Sequence, residues 1–208
     1  MNCFRRSCAG SLAAELVQLF RWSACGLALT LLLSCASGPQ VPPVESTTAI
    51  EAFELKGRVA VNLDGRGYSA RLKWNHEATL DTLSLYSLVG STIATLVADG
   101  DRATLVTAKK ESFASDNVQE LTREVLGWDL PLTGLRYWVL GRADPDVPVM
   151  SLEQDDQLRI KQLVQRNWKV DYLAYSEDSA LPSSMVLRYG DLRMRLIIDG
   201  WKFPPLAQ

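Results

Sequence analysis

Histidine is nearly missing from this chain: among 208 residues there is one, His76. Cysteine is scarce and lopsided, with Cys3, Cys8 and Cys25 crowded near the N-terminus and Cys35 the last of four. A zinc site or a Cys–His pair needs more donors than these, so metal binding and thiol catalysis have little material to work with. No block of Lys or Arg exceeds two residues and the formal net charge is −2, which leaves no electrostatic footprint for nucleic acid. No apolar run reaches the roughly 20 residues that a bilayer-spanning helix needs. What is there, 47% apolar and 22% charged residues, has the make-up of one ordinary globular domain.

An enzyme also lacks parts. His76 falls in the polar segment Asn75-His76-Glu77, which reads as an exposed turn. The carboxylate pairs Asp155-Asp156 and Glu177-Asp178 read as solvated loops between strands, and nothing points to a buried acid with a raised pKa. The expectation is a protein that binds rather than one that catalyses.

The N-terminus reads as an address. Arg5, Arg6 and Arg21 precede an apolar run from Ala24 to Leu33, which ends in Leu32-Leu33-Ser34-Cys35 and is followed by Ala36-Ser37-Gly38-Pro39. A short apolar run stopped by small and proline residues predicts a secretory signal over residues 1–34. Leu-Leu-Ser-Cys resembles a bacterial lipobox, in which the cysteine is diacylated on sulfur, the preceding peptide is cut away and the new amino group is acylated. The resemblance makes Cys35 the lipidated first residue of the mature chain. Cleavage there discards the other three cysteines, so no disulfide braces the body. It also removes three arginines and one glutamate, which leaves the body four charges on the acidic side. Such a body is not held to anionic lipid by its net charge. Acyl chains must anchor it, each buried methylene contributing about 0.8 kcal/mol. In enterobacterial lipoproteins an aspartate after the cysteine retains the protein in the inner membrane, so Ala36 implies passage to the outer one. From Ala36 to Ala49, Pro39, Pro42 and Pro43 among Ser, Thr and Gly form a linker that could reach roughly 40 Å at about 3.1 Å per residue. Residues 35–49 are thus the lipidated N-terminus and a tether, and residues 50–208 the folded body.

In the body the apolar period changes to two. Phe53, Leu55, Val59, Val61 and Leu63 alternate with Glu54, Lys56, Arg58 and Asn62. After Asp64-Gly65-Arg66-Gly67 the pattern resumes as Tyr68, Ala70, Leu72 and Trp74, which predicts a β-hairpin. Further strands are predicted over 82–88, 91–98, 102–107, 158–165, 168–174, 185–189 and 192–199. Ten or eleven strands with one apolar and one charged face point to a single antiparallel sheet, and a sheet that wide curls. Two short amphipathic helices interrupt it. Ser115-Asp116-Asn117 offers caps for the first, with Asp116 and Gln119 at capping-box spacing and Gly127 as its stop. The second starts after Pro131 and ends at Gly141.

A mainly β fold of this kind, an unclosed barrel with an α lid, has an apolar interior. Side chains could fill it, as in most small barrels, or leave a hollow, and periodicity leaves both open. The inward candidates are Val59, Val61, Leu72 and Trp74 on the first hairpin and Leu83 and Leu85 on the next strand. The helices add Leu121, Val125, Leu135 and Trp138, and the later strands Trp168 and Trp201. Trp128 reads as a seal on the first helix.

Four stretches together resemble the LolB family of outer-membrane lipoprotein receptors. They are Gly57-Arg58-Val59-Ala60-Val61 with Tyr68-Ser69-Ala70-Arg71-Leu72-Lys73-Trp74, then Val89-Gly90-Ser91-Thr92, then Pro131-Leu132 through Leu135-Arg136-Tyr137-Trp138 to Leu140-Gly141, and Asn167-Trp168-Lys169-Val170. The similarity runs from about residue 50 to Phe203 and is coupled to a lipobox. It implies an unclosed barrel with a helical lid over a cavity. There the inward residues named above would meet the acyl chains of a lipoprotein handed over by the periplasmic carrier LolA, for insertion into the outer membrane. It implies no cofactor beyond the lipid on Cys35, a monomer, and a place on the periplasmic face of the outer membrane. The family also carries a protruding leucine in a Pro-Leu-Gly loop that helps push cargo into the membrane. Leu88-Val89-Gly90 matches it, with Val89 at the leucine position and Leu88 at the proline, so the resemblance implies that Leu88 and Val89 form a membrane-insertion loop. Outside the resemblance, a structural envelope lipoprotein with a filled core, pairing with a partner by an edge strand, fits the same pattern.

Overall fold

A computed structural model of the protein describes residues 52–100 and 102–204. The chain divides into Met1–Glu45 and Ser46–Gln208, and the described residues all belong to the second, compact unit. The signal sequence, Cys35 and the tether lie outside the described residues.

Strict alternation builds the first strands. In β1 (Phe53–Leu63) the odd-numbered residues from Phe53 to Val61 are buried, and β2 (Arg66–Glu77) returns alongside with Leu63 opposite Arg66. Asp64 and Gly65 make the connection with φ of 50° and 78°. Two positive φ values mark the two-residue hairpin turn whose twist matches the strands. Then follow β3 (Leu80–Tyr86), β4 (Thr92–Asp99), β5 (Arg102–Thr107) and β6 (Ser112–Ser115). Two helices intervene, α1 (Val118–Leu126) and α2 (Leu132–Trp138). The chain returns to the sheet as β7 (Ser151–Gln154), β8 (Ile160–Gln165), β9 (Trp168–Tyr175), β10 (Pro182–Tyr189) and β11 (Leu192–Lys202).

The eleven strands form one sheet in the order β6-β5-β4-β3-β2-β1-β11-β10-β9-β8-β7. Two meanders thus meet in the middle, where β1 and β11 pair antiparallel with Val59 opposite Leu196. No pairing joins β6 to β7 among the described residues, so the barrel is unclosed, as expected. Those two edges are four residues each and were not anticipated: Ser-Phe-Ala-Ser and Ser-Leu-Glu-Gln are too short to show a period. Short edges expose few unpaired backbone groups, which limits pairing with other chains. At Gly57 the β1–β11 register shifts, and a Cβ there would stand 2.3 Å from the Ile197 carbonyl oxygen. Only glycine lets the two central strands approach so closely.

Both helices are shorter than the sequence suggested. Asn117, rather than Asp116, caps α1: its Oδ1 accepts from the backbone N–H of Gln119 and of Glu120 at 3.0 and 3.1 Å. Gly127 ends it in the left-handed conformation at φ 84°. In α2 the Trp138 indole folds back across Gly134, where a Cβ would lie 2.5 Å from the ring.

The apolar faces of sheet and helices share one core, but its two sides differ. Beside β8 to β10, Leu163, Val170, Met185 and Leu187 have no measurable exposure and pack with Trp138 and Trp168. The Trp138 Nε1–H donates to Gln165 Oε1 at 3.0 Å, and the Tyr172 hydroxyl donates to the Trp138 carbonyl at 2.9 Å. Gln165 is itself fully buried and uses all four of its amide positions. Its Oε1 also accepts from Asp144 N–H, and its Nε2 donates to the carbonyls of Asp144 and Val147. Beside β1 to β5 the roof is apolar, and there a hollow opens.

Candidate functional site

The sheet side of the hollow consists of Val59, Leu72, Leu83, Leu96, Leu105 and Leu196, with Leu85, Ala94 and Met194 at its margins. Its roof is Leu126 at the end of α1, Trp128 and Leu130 in the connection, and Leu135 on α2. The enclosed space is about 40 Å³. A groove of about 160 Å³ shares Val59, Leu85, Leu126 and Trp128 with it and adds Val61, Tyr68 and Ile93. That groove is the mouth, and it faces the end of the sheet where β1 meets β2 and β3 meets β4.

Of the sequence candidates, Val59, Leu72, Leu83, Leu85 and Leu135 border the hollow and Val61 borders its mouth. The other six lie elsewhere. Trp74 packs edge-on against Phe53 at 5.1 Å, away from the void. Leu121 is buried and Val125 half-buried in the core under α1. Trp138 lies 6.3 Å from Trp168, which stacks on Tyr189 at 5.2 Å in the packed side. Trp201 is half-buried between Phe53 and Phe203 at the far end. Missed were Ala94, Leu96, Leu105, Leu126, Trp128, Leu130, Met194 and Leu196. Leu96 and Leu105 hold inward places in strands that the alternation had found. Trp128 and Leu130 sit outside any periodic segment, and only folding lays them over the sheet.

A second feature overturns the expectation for His76. It is not in an exposed turn but on β2, 3% exposed, because the inward alternation continues past Trp74. It faces Asp81 on β3, a fully buried carboxylate, where no buried acid was anticipated. Asp81 Oδ1 accepts from the Trp74 indole at 2.7 Å and lies 2.9 Å from His76 Nδ1. Asp81 Oδ2 accepts from Arg136 Nε on α2 at 2.7 Å, and a second guanidinium nitrogen of Arg136 also contacts it. A carboxylate offers only acceptors, so ionised Asp81 places the imidazole hydrogen on Nδ1. The cluster ties α2 to the β2–β3 hairpin. In the neighbouring packed side, burial pushes the Tyr172 hydroxyl well above its usual pKa and that of Tyr175 up to about 12.

The roof over the hollow is tied differently. Thr122 Oγ1 accepts from Leu130 N–H at 3.0 Å, and Arg123 grips Asp129 through two nitrogens at 2.6 and 2.8 Å. Both bonds are internal to the segment from α1 to Leu130. α1 therefore rests on the sheet mainly by apolar contact.

The loop between β3 and β4 stands out from the body. Ser87 and Ser91 close it by a backbone bond of 2.8 Å, Gly90 turns at φ 92°, and Leu88 and Val89 are 67% and 90% exposed. These two are not folded back onto the core.

A family model and curated relatives show the family. The family model described as outer membrane lipoprotein LolB matches residues 51–201. The outer-membrane lipoprotein LolB of Nitrosomonas europaea is 34% identical over 190 residues, which covers 84% of this chain and 89% of that one. That of Nitrosococcus oceani is 35% identical over 155 residues, covering 74% and 77%. Among solved structures, a LolA superfamily protein from Nitrosomonas europaea aligns with 77% of this chain and 89% of its own at TM-score 0.48 and 8% identity. With its family model spanning most of the body and two such relatives, the chain belongs to the family of the outer-membrane lipoprotein LolB.

Proposed function

We propose that the chain is an outer-membrane lipoprotein that receives other lipoproteins by their acyl chains and delivers them to the membrane. The observation that carries this reading is the apolar hollow whose mouth opens at the end where Leu88 and Val89 project. As it stands, about 40 Å³ holds about three water-sized groups. A chain of about sixteen methylenes, each about the size of a water, needs roughly five times that volume. Uptake therefore requires the segment from α1 to Leu130 to swing outward. The bonds that stiffen this segment are internal and survive the motion, while α2 stays fixed through Arg136 and Trp138.

The supplier in this reading is the periplasmic carrier LolA, and the transfer runs down a gradient of affinity. Each 1.4 kcal/mol by which the receptor holds the chains more tightly shifts the equilibrium about tenfold, with no nucleotide required. Cys35 carries the anchor after removal of residues 1–34, residues 36–49 hold the body off the membrane, and one copy suffices.

The small closed volume also favours a second reading, an envelope lipoprotein whose core is effectively filled and whose short edges β6 and β7 pair with a partner. Uptake of a fluorescent fatty acid or an acylated peptide by the Ser46–Gln208 body separates the two. Retention displaced by excess acylated peptide supports the receptor. Background retention by a body whose circular dichroism is intact supports the second reading.

A further inference from the structure

Net charge speaks against attraction between this body and anionic lipid, but the fold segregates the charges. The end that carries Leu88 and Val89 also carries the β1–β2, β5–β6 and β10–β11 turns. In the β5–β6 turn Ala108 N–H donates to the Ile93 carbonyl at 2.8 Å, which sets Lys109 and Lys110 beside the loop. Arg71 lies opposite Tyr86 at the loop's base, and Arg66 opens β2. Arg193 and Arg195 on β11 lie opposite Asn62 and Ala60. Strands are about 4.8 Å apart, so β11, three places from β3, is about 15 Å away.

These six cations are exposed, and none is within salt-bridge distance of a carboxylate among the described residues. The exposed acids at this end are Asp64, Glu111 and Asp191. At the opposite end of the same strands Glu54, Glu77, Asp99 and Asp116 stand with Lys56, Lys73, Arg102 and Lys202, the three lysines around Glu54 and Arg102 3.9 Å from Asp116. These strands are thus basic where the apolar tip projects and balanced in charge at their other end. Next to the tip, a shallow groove of about 450 Å³ has a floor of small residues, Ala60, Gly67 and Ser69, between Tyr68 and the two arginines Arg193 and Arg195.

We propose that this end is a docking surface for anionic phospholipid. With Leu88 and Val89 at the membrane, as the family resemblance already implies, Arg193 and Arg195 hold headgroup phosphates in the groove, and Lys109 and Lys110 hold others on the far side of the tip. An apolar wedge ringed by cations is the chemistry that binds a charged bilayer surface, where cations gain from the surface potential and exposed apolar side chains leave water. Docked this way, the mouth of the hollow faces the membrane. In this the inference rests on the delivery reading above, to which it adds the lipid partner and the orientation.

The test is sedimentation of the Ser46–Gln208 body with vesicles of phosphatidylcholine alone or mixed with phosphatidylglycerol. Binding to the mixed vesicles is expected to exceed that to the neutral ones. It should fall at least about tenfold in Lys109→Glu/Lys110→Glu and in Arg193→Glu/Arg195→Glu, and weaken with added salt. Charge reversal at the other end, Glu77→Lys/Asp116→Lys, should not weaken it. Equal binding to neutral and anionic vesicles, or no loss in either reversed pair, overturns the proposal. Full lipid binding by a reversed pair that no longer accepts cargo from the carrier also overturns it, and assigns the surface to an acidic protein instead. Fatty-acid uptake measured on the same bodies reports on the delivery reading separately: it can fail while vesicle binding stands, and the reverse.

Discussion

The two sides of this sheet are made of the same residue types and behave differently. Beside β8 to β10, tryptophan, leucine and methionine fill the space, and α2 is fastened there by Trp138 to Gln165, as it is by Arg136 to Asp81 on β3. Beside β1 to β5 the part of the roof from α1 to Leu130 has no side-chain hydrogen bond to the sheet among the described residues, and a void remains under it. Apolar contact is non-directional and can slide, whereas a buried hydrogen bond breaks only at the full cost of leaving a polar group unpaired. One helix is therefore a fixture and the other a cover.

The largest effect should come from attacking the fixture. Arg136→Ala leaves Asp81 buried without its guanidinium and is expected to destabilise the body by about 3 kcal/mol in urea unfolding. A loss under about 1 kcal/mol would show that α2 is held as loosely as α1. Core truncation sharpens the contrast further. Leu187→Ala in the packed side should cost about 3 kcal/mol, as a cavity is left among fixed neighbours. Ala94→Leu at the margin of the hollow should change stability by less than about 1.5 kcal/mol, because there is room for part of the new side chain, while it lowers fatty-acid uptake.

Smaller still is the effect of a cut within the cover. Thr122→Ala leaves Leu130 N–H without its acceptor and should cost about 1 kcal/mol in urea unfolding, with the rate of fatty-acid uptake in stopped-flow fluorescence little changed, since this bond is internal to the moving segment. Alkaline pH acts on the packed side through its buried tyrosines. Tyr175 donates its hydroxyl to the Ile160 carbonyl and titrates near 12, above the value of about 10 for an unfolded tyrosine. Its folded pKa is raised, so its contribution is complete below pH 10 and lost as pH rises towards 12. Tyr175→Phe should make the fall of the unfolding midpoint over that window less steep, with Tyr172 still contributing to it. The least change in stability belongs to Val89→Glu, within about 0.5 kcal/mol at so exposed a place. Uptake should persist while delivery of acylated peptide to liposomes stops, and equal delivery by variant and parent would remove Val89 from the mechanism.

Alternation was enough to place nine of the eleven strands, because burying one face of a strand demands a period of two over six or more residues. The edge strands β6 and β7 escaped since four residues carry too little pattern, and Leu158, expected in a strand, is instead an exposed turn residue at φ 61°. The exposed pair Leu88-Val89 was legible through the family resemblance, whereas alternation ran the strand on to Leu88 and β3 ends at Tyr86. Half of the inward candidates were placed at the hollow or its mouth and half in solid core, because period two says which side of the sheet a residue faces but not how far along the curl it lies. His76 misled for a related reason: its polar neighbours suggested a turn, while the strand beneath them ran on to Glu77.

By itself the sequence determined the class of fold, the family and the chemistry of each surface, since these depend on local period and on residue type. Tertiary structure alone decided which apolar residues enclose empty space, which carboxylate is buried beside which cation, and that an acidic chain presents a basic end. Those follow from bringing together residues far apart in the chain, such as Asp81 with Arg136 and Tyr68 with Arg193, and no local pattern encodes the pairing.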